Sequence, residues 1–196
     1  MKMAKKFLAI ALAGVLALSV LTGCGDSVKS KDVADALTKM GVKTEQSKDL
    51  DKTAENTLTA IEAIIASDTN TTAAEAKKIT LDNAVEKITG KVIKETTITD
   101  TTNKVQKALG VYTGKDATPD EKANDGKKVQ VALVKTENAK KDASMQAAFV
   151  KEGLVTAKTV TPAKDKKFAE TGKLGTATTK DGKYMLVVIV TDVVAK

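Results

Sequence analysis

Histidine, tryptophan and arginine are all missing from this 196-residue chain, cysteine occurs once and proline twice. Each absence removes a class of chemistry. Without histidine there is no Ser-His-Asp or Cys-His arrangement, no imidazole metal ligand and no side chain whose ordinary pKa lies near neutrality. Without arginine, recognition of phosphates, carboxylates and guanine edges loses its planar two-pronged donor, which argues against a specific nucleic-acid reader. After Phe7 the only rings are Tyr112, Phe149, Phe168 and Tyr184, too scattered for a stacking platform and expected in the core. A single cysteine permits no internal disulfide, so the fold must rest on its apolar core, which a chain of this length can build.

What is abundant is lysine, which carries all of the positive charge behind a formal net charge of +7. Lys2, Lys5 and Lys6 precede an apolar run over residues 7–21 with no acidic residue, the order of a secretory signal. As a helix the run would reach only about 22 Å at roughly 1.5 Å per residue, short of the hydrocarbon core, so a permanent transmembrane anchor is the weaker alternative. Setting those three lysines aside leaves +4 on residues 24–196. The pairs Lys77-Lys78, Lys127-Lys128, Lys140-Lys141 and Lys166-Lys167 alternate with acids and read as solvated surface; diffuse attraction to an anionic envelope polymer is the alternative.

The run closes on Leu21-Thr22-Gly23-Cys24, which resembles the lipobox of bacterial lipoproteins. The resemblance implies that Cys24 receives a diacylglyceryl group on its thiol, that cleavage precedes it, and that the new amine is acylated. Two chains suffice for stable anchoring, so residues 1–23 are the expected signal peptide and Cys24 the membrane attachment on the extracytoplasmic face. An ordinary secretory signal with a coincidental cysteine is the alternative reading.

Residues 24–29 are small and polar and read as a tether to a single domain over 30–196. Ser30 is the expected cap of a first helix carrying Val33, Leu37 and Met40, stopped by Gly41. A second helix over 50–66 places Leu50, Ala54, Leu58, Ile61 and Ile65 on one stripe, and Thr72-x-x-Glu75 opens a third that buries Leu81, Val85 and Ile88 before Gly90. Residues 91–99 suit a strand and 102–109 a short helix. The stretch 112–128 holds Gly114, Pro119, Asn124, Asp125 and Gly126 and is the best internal boundary. Beyond it, 129–134 is a strand, Asp142 caps a helix with Met145, Ala148 and Phe149, and 154–160 suits another strand. The segments 173–179 and 183–194 form a hairpin in which Asp181-Gly182 suits a type I′ turn. Residues 185–190 are apolar on both faces and predict a central strand covered on each side. The fold class expected is α+β: a helical N-terminal half packed on a small, mainly antiparallel sheet with a C-terminal β-hairpin.

Phe168-Ala169-Glu170-Thr171-Gly172-Lys173-Leu174-Gly175, followed by the Gly182-Lys183-Tyr184-led apolar strand, resembles the closing strand pair of the CAP/SCP superfamily. Lys135-Thr136-Glu137-Asn138 before the next helix is similar to that family's Gly-Glu-Asn strand. The resemblance covers about the last third and implies an α-β-α sandwich with a cleft. Of the two histidines and two glutamates that hold a metal there, only Glu137 has a counterpart, so it implies a binding or scaffolding version without metal or other cofactor.

Carboxylates are the remaining acid–base groups. Glu137, Asp142, Glu152 and Glu170 stand in the C-terminal part, and two of them across a cleft, Glu137 and Glu170 foremost, could serve a histidine-free glycan hydrolase. Each lies beside lysines, as surface carboxylates do. Asp116, Asp120, Glu121, Asn124 and Asp125 form a carboxylate-rich loop without the spacing of a calcium-binding EF-hand, and no Gly-rich phosphate loop occurs. The chain is too short for a two-lobed transport receptor. The expected role is therefore a non-enzymatic binding or structural lipoprotein of the cell envelope, with an envelope polymer or another protein as partner.

Overall fold

A strand that is apolar on both faces needs cover on both, and the segment Tyr184–Ala195 has buried side chains at every position from Tyr184 to Ile189. The computed structural model describes residues 28–66, 81, 108, 127–139, 141–158 and 161–196. In chain order they form α1 (Ser30–Lys39), β1 (Thr44–Gln46), α2 (Lys48–Ala66), β2 (Lys127–Lys135), a 3-10 turn (Glu137–Ala139), α3 (Ala143–Gly153), β3 (Val155–Lys158), β4 (Lys166–Phe168), β5 (Gly172–Thr178) and β6 (Tyr184–Ala195). The sheet order is β1-β5-β6-β2-β3, with β4 paired to the last residues of β6. Only β1·β5 is parallel; the other pairings are antiparallel. The class is α+β, with the expected C-terminal hairpin β5–β6 and the expected central strand.

Alternation along β6 sorts the core into two layers. Tyr184, Leu186 and Val188 join Val131 and Leu133 of β2 against Ala54, Leu58 and Ile61 of α2. Met185, Val187 and Ile189 join Leu174 of β5 against Val33 and Leu37 of α1 and Ala147 and Val150 of α3. Helices therefore lie on both faces of the sheet. Leu81 and Ala108 also pack against the α2 layer; the rest of the expected third helix, the 91–99 strand and the 102–109 helix lie outside the described residues. So do residues 112–126 of the expected boundary, while Lys127-Lys128 already belong to β2.

Several local expectations shift. Ser30 is inside α1 rather than its cap: Lys29 holds the cap position, and the Ser30 hydroxyl instead meets that of Thr176 at 2.6 Å. Asp142 caps α3, its Oδ1 accepting from the Ser144 and Met145 amides at 2.9 and 3.0 Å. The buried stripe of α3 is Gln146, Ala147 and Val150, with Met145 turned to solvent and Phe149 only partly buried. The hairpin turn is centred on Lys180-Asp181, one residue earlier than a type I′ Asp-Gly turn requires: the Gly182 amide donates to the Thr179 carbonyl, and Gly182 itself takes φ +69°.

α2 is fastened to β5 through its first turn. The Ser47 amide donates to the Leu174 carbonyl at 2.7 Å, which ends the β1 ladder. One turn on, Asp51 accepts the Thr176 amide on Oδ1 at 2.9 Å and the Gln46 side-chain amide on Oδ2 at 2.8 Å. The carboxylate thus stands in for the strand partner that β1 is too short to supply.

Candidate functional site

The four candidate carboxylates are not gathered in one place. Glu137 follows the end of β2, where Lys135 pairs with Tyr184 and the Thr136 amide donates to the Lys183 carbonyl. Glu170 lies between β4 and β5, where the Ala169 amide donates to the Asp192 carbonyl. Tyr184 and Asp192 stand at opposite ends of β6, about 26 Å apart at ~3.3 Å per residue, far beyond the separation of paired glycosidase carboxylates. Glu137 instead faces Lys135 at 3.6 Å and Glu170 faces Lys43 at 3.0 Å. Asp142 is committed to its cap, and Glu152 is exposed on the last turn of α3. Glu137 and Glu170 do not converge in a cleft. Among the described residues no three His, Cys, Asp or Glu side chains are grouped to hold a metal, and no helix is long and apolar enough to cross a membrane.

A carboxylate proximity that the sequence reading did not single out occurs at the hairpin end. Glu62 is exposed in area, yet the protein around it removes enough water to push its carboxyl above the ordinary range. The charge of Asp181 adds to the rise and Lys180 offsets part of it. Asp181 is nevertheless a turn builder: its Oδ1 accepts from the Thr179 hydroxyl at 2.6 Å and from the Lys183 amide at 3.0 Å. Thr179 in turn accepts the Tyr184 amide at 3.1 Å. That network fixes the hairpin and leaves Asp181 little freedom for acid–base work.

The opposite end of the sheet is dominated by lysine. Lys127 pairs with Asp192 across β2·β6, Lys128 with Thr191, Lys173 with Val190, Lys166 with Ala195 and Lys167 with Val194. Lys43 lies beside Gly172, whose amide donates to its carbonyl. Asp192 is held between Lys127 at 3.1 Å and Lys173 at 3.5 Å. The Lys127 hydrogen bond, more than any other contact, keeps its carboxyl below the ordinary range, with Lys173 adding to the fall and partial burial opposing it. Glu170 is likewise depressed, first by its hydrogen bond and charge contact with Lys43 and then by the charge of Lys167. On the other face the Lys128 ammonium lies 5.7 Å from the centre of the Phe168 ring. The pairs Lys127-Lys128 and Lys166-Lys167 are visible in the sequence, but only the β2·β6·β4 register brings residues so far apart in the chain to the same place.

Among the described residues one buried side-chain polar atom has no protein partner. Gln146 is 4% exposed, its Nε2 donating to the Ala139 carbonyl at 2.9 Å while Oε1 makes no hydrogen bond. Cys24 and the carboxylate-rich loop at 116–125 lie outside the described residues. Comparison of the chain with protein-family models, with curated proteins and with solved structures found no match.

Proposed function

We propose that the chain is a lipid-anchored, extracytoplasmic lipoprotein whose folded part is a non-enzymatic binding or structural module of the cell envelope. The observation that carries this reading is Leu21-Thr22-Gly23-Cys24 directly behind an apolar run led by lysines. The placement of α1 supports it: the first described helix begins at Ser30, six residues past Cys24. A tether of that length spans at most about 20 Å at ~3.3–3.6 Å per residue, so the folded part stays close to the bilayer. The dispersed carboxylates weigh against the paired-carboxylate hydrolase, and their separation also removes the support for a CAP-like cleft at Glu137 and Glu170. The layered helix-sheet-helix arrangement remains compatible with a CAP-like domain used for binding.

The test is metabolic labelling of the full chain with an alkyne fatty acid in a bacterial host, followed by membrane fractionation. Label and membrane association, both lost in Cys24→Ala, are the expected result. An unlabelled protein released into the soluble extracytoplasmic fraction would mean an ordinary secretory signal and sink the anchored reading.

A further inference from the structure

We infer that the lysine-rich end of the sheet docks a linear polyanion bearing closely spaced phosphate groups, held by charge density rather than by a shaped pocket. Eight lysines meet there: the five on the last rungs of β2, β4 and β5, together with Lys43, Lys164 and Lys196. Among the described residues four carboxylates face them, Asp192, Glu170, Asp165 and Glu45, the last paired with Lys173 across β1·β5. The excess of four positive charges is as large as that of residues 24–196 as a whole. Asp192 and Glu170 tie three of the lysines to fixed positions, while Lys164, Lys166 and Lys167 project from an exposed turn and short strand. By alternation along the paired strands Lys127, Lys167 and Lys173 stand on one face of the sheet end and Lys128 and Lys166 on the other. The charge therefore wraps round the end of the sheet, as a flexible linear polyanion can follow and a flat surface cannot. Lysine offers a point charge and no bidentate fork, which suits a repeating anion without a fixed headgroup geometry.

The direction of the chain favours a polymer over the bilayer that carries the anchor. This step rests on the lipoprotein reading above. α1 starts at Ser30, whose hydroxyl meets that of Thr176 in mid-β5, and beyond its end at Lys39 the chain reaches Lys43 at the lysine end, so the described chain enters the fold on the hairpin side of the lysine rungs.

The experiment uses the full chain in non-ionic detergent, with fluorescein-labelled long-chain inorganic polyphosphate as probe and fluorescence anisotropy as readout. Vesicles of phosphatidylglycerol and of phosphatidylcholine serve as competitors. Saturable binding is expected to weaken steeply with added salt, and the combined Lys164→Gln, Lys166→Gln, Lys167→Gln variant should lose about tenfold or more in affinity. The combined Lys135→Gln, Lys180→Gln, Lys183→Gln variant, equal in charge change at the hairpin end, should change it less than about twofold. Urea midpoints of both variants within about 0.3 M of the parent establish that folding is retained. Equal losses in the two variants, no binding at low salt, or displacement of the probe by phosphatidylglycerol at lower concentration than by unlabelled polyphosphate would each overturn the proposal. Binding is read on purified chain, so a negative result here leaves the anchor test untouched, and the reverse also holds.

Discussion

Replacing Gly175 by alanine tests how α2 is seated on the sheet. A Cβ at this position would fall inside the contact radii of the Leu50 carbonyl carbon and oxygen and of the Asp51 nitrogen. These are backbone atoms of the first turn of α2, and no rotamer change moves them, so the helix must retreat from β5. Overpacking of this kind costs roughly 1–3 kcal/mol. Retreat also strains the Ser47 and Asp51 hydrogen bonds to Leu174 and Thr176, at about 1 kcal/mol each. The expected loss is therefore about 3–5 kcal/mol, a large part of the ~5–15 kcal/mol that holds a typical domain together. Two other glycines calibrate the effect. At Gly172 a Cβ meets Ile189 Cγ2 at 2.8 Å and Thr191 Oγ1 at 3.0 Å, branch atoms of buried side chains rather than backbone, so Gly172→Ala should cost about 1–3 kcal/mol. At Gly41 nothing lies within 4 Å but φ is +91°, so Gly41→Ala should cost only the strain of about 1–2 kcal/mol. Urea unfolding followed by far-UV circular dichroism, with the full chain in each case, ranks the three. If Gly175→Ala lies within about 0.5 kcal/mol of the parent, or Gly41→Ala costs as much as Gly175→Ala, the reasoning about the helix seat is wrong.

Other substitutions probe separate parts of the argument. Asp51→Ala strands the Thr176 amide and frees the Gln46 side chain, and should cost about 1–3 kcal/mol by urea titration. Glu62 has a raised pKa, so the folded state holds its proton more tightly and stability from this group falls as pH rises through the folded value; Glu62→Gln should stabilise the chain at neutral pH, with the gain fading as pH falls through the raised folded value and gone below the ordinary glutamate range. Asp192 has the opposite sign, because its depressed pKa contributes stability above the ordinary aspartate range and loses it as pH falls through the folded value. Asp192→Asn should therefore be destabilising at neutral pH and converge with the parent in acid, as thermal melts across that range would show. Gln146→Met exchanges one buried hydrogen bond for removal of an unpartnered oxygen and should change stability by less than about 1 kcal/mol, whereas Gln146→Glu should cost several.

Apolar periodicity carried most of what the sequence reveals of the fold. The stripe Ala54, Leu58 and Ile61 is the buried face of α2, and the doubly apolar run beginning at Tyr184 is the central strand with a helix layer on each side. Short elements left no such trace. β1 and β4 have three residues each, too few to show alternation, and exist because long neighbours offer them a ladder. Side-chain capping was misassigned at Ser30, where a tertiary partner, Thr176, took the hydroxyl that local geometry would have turned inward. Carboxylates close in sequence said nothing about distance, since Glu137 and Glu170 belong to strand ends that the antiparallel register drives apart.

The same register shows where recognition can take place. Both faces of β6 are filled by helix side chains from Tyr184 to Ile189, so along that stretch the sheet offers a partner no open surface. Partners must meet the described fold at a sheet end, at an edge strand or on the outer faces of the helices. The hairpin end is occupied by its own turn, where Thr136, Thr179 and Asp181 spend their hydrogen bonds on Gly182, Lys183 and Tyr184. At the other end β6 runs on past its helical cover, and the residues flanking its last rungs are mostly lysines. With no arginine fork, imidazole or aromatic cage in reach, those lysines can discriminate only by number and spacing of charges. Such a surface holds a densely charged polymer at low ionic strength and releases sparsely charged ligands, so steep salt dependence, rather than tight affinity, is the signature to expect of it.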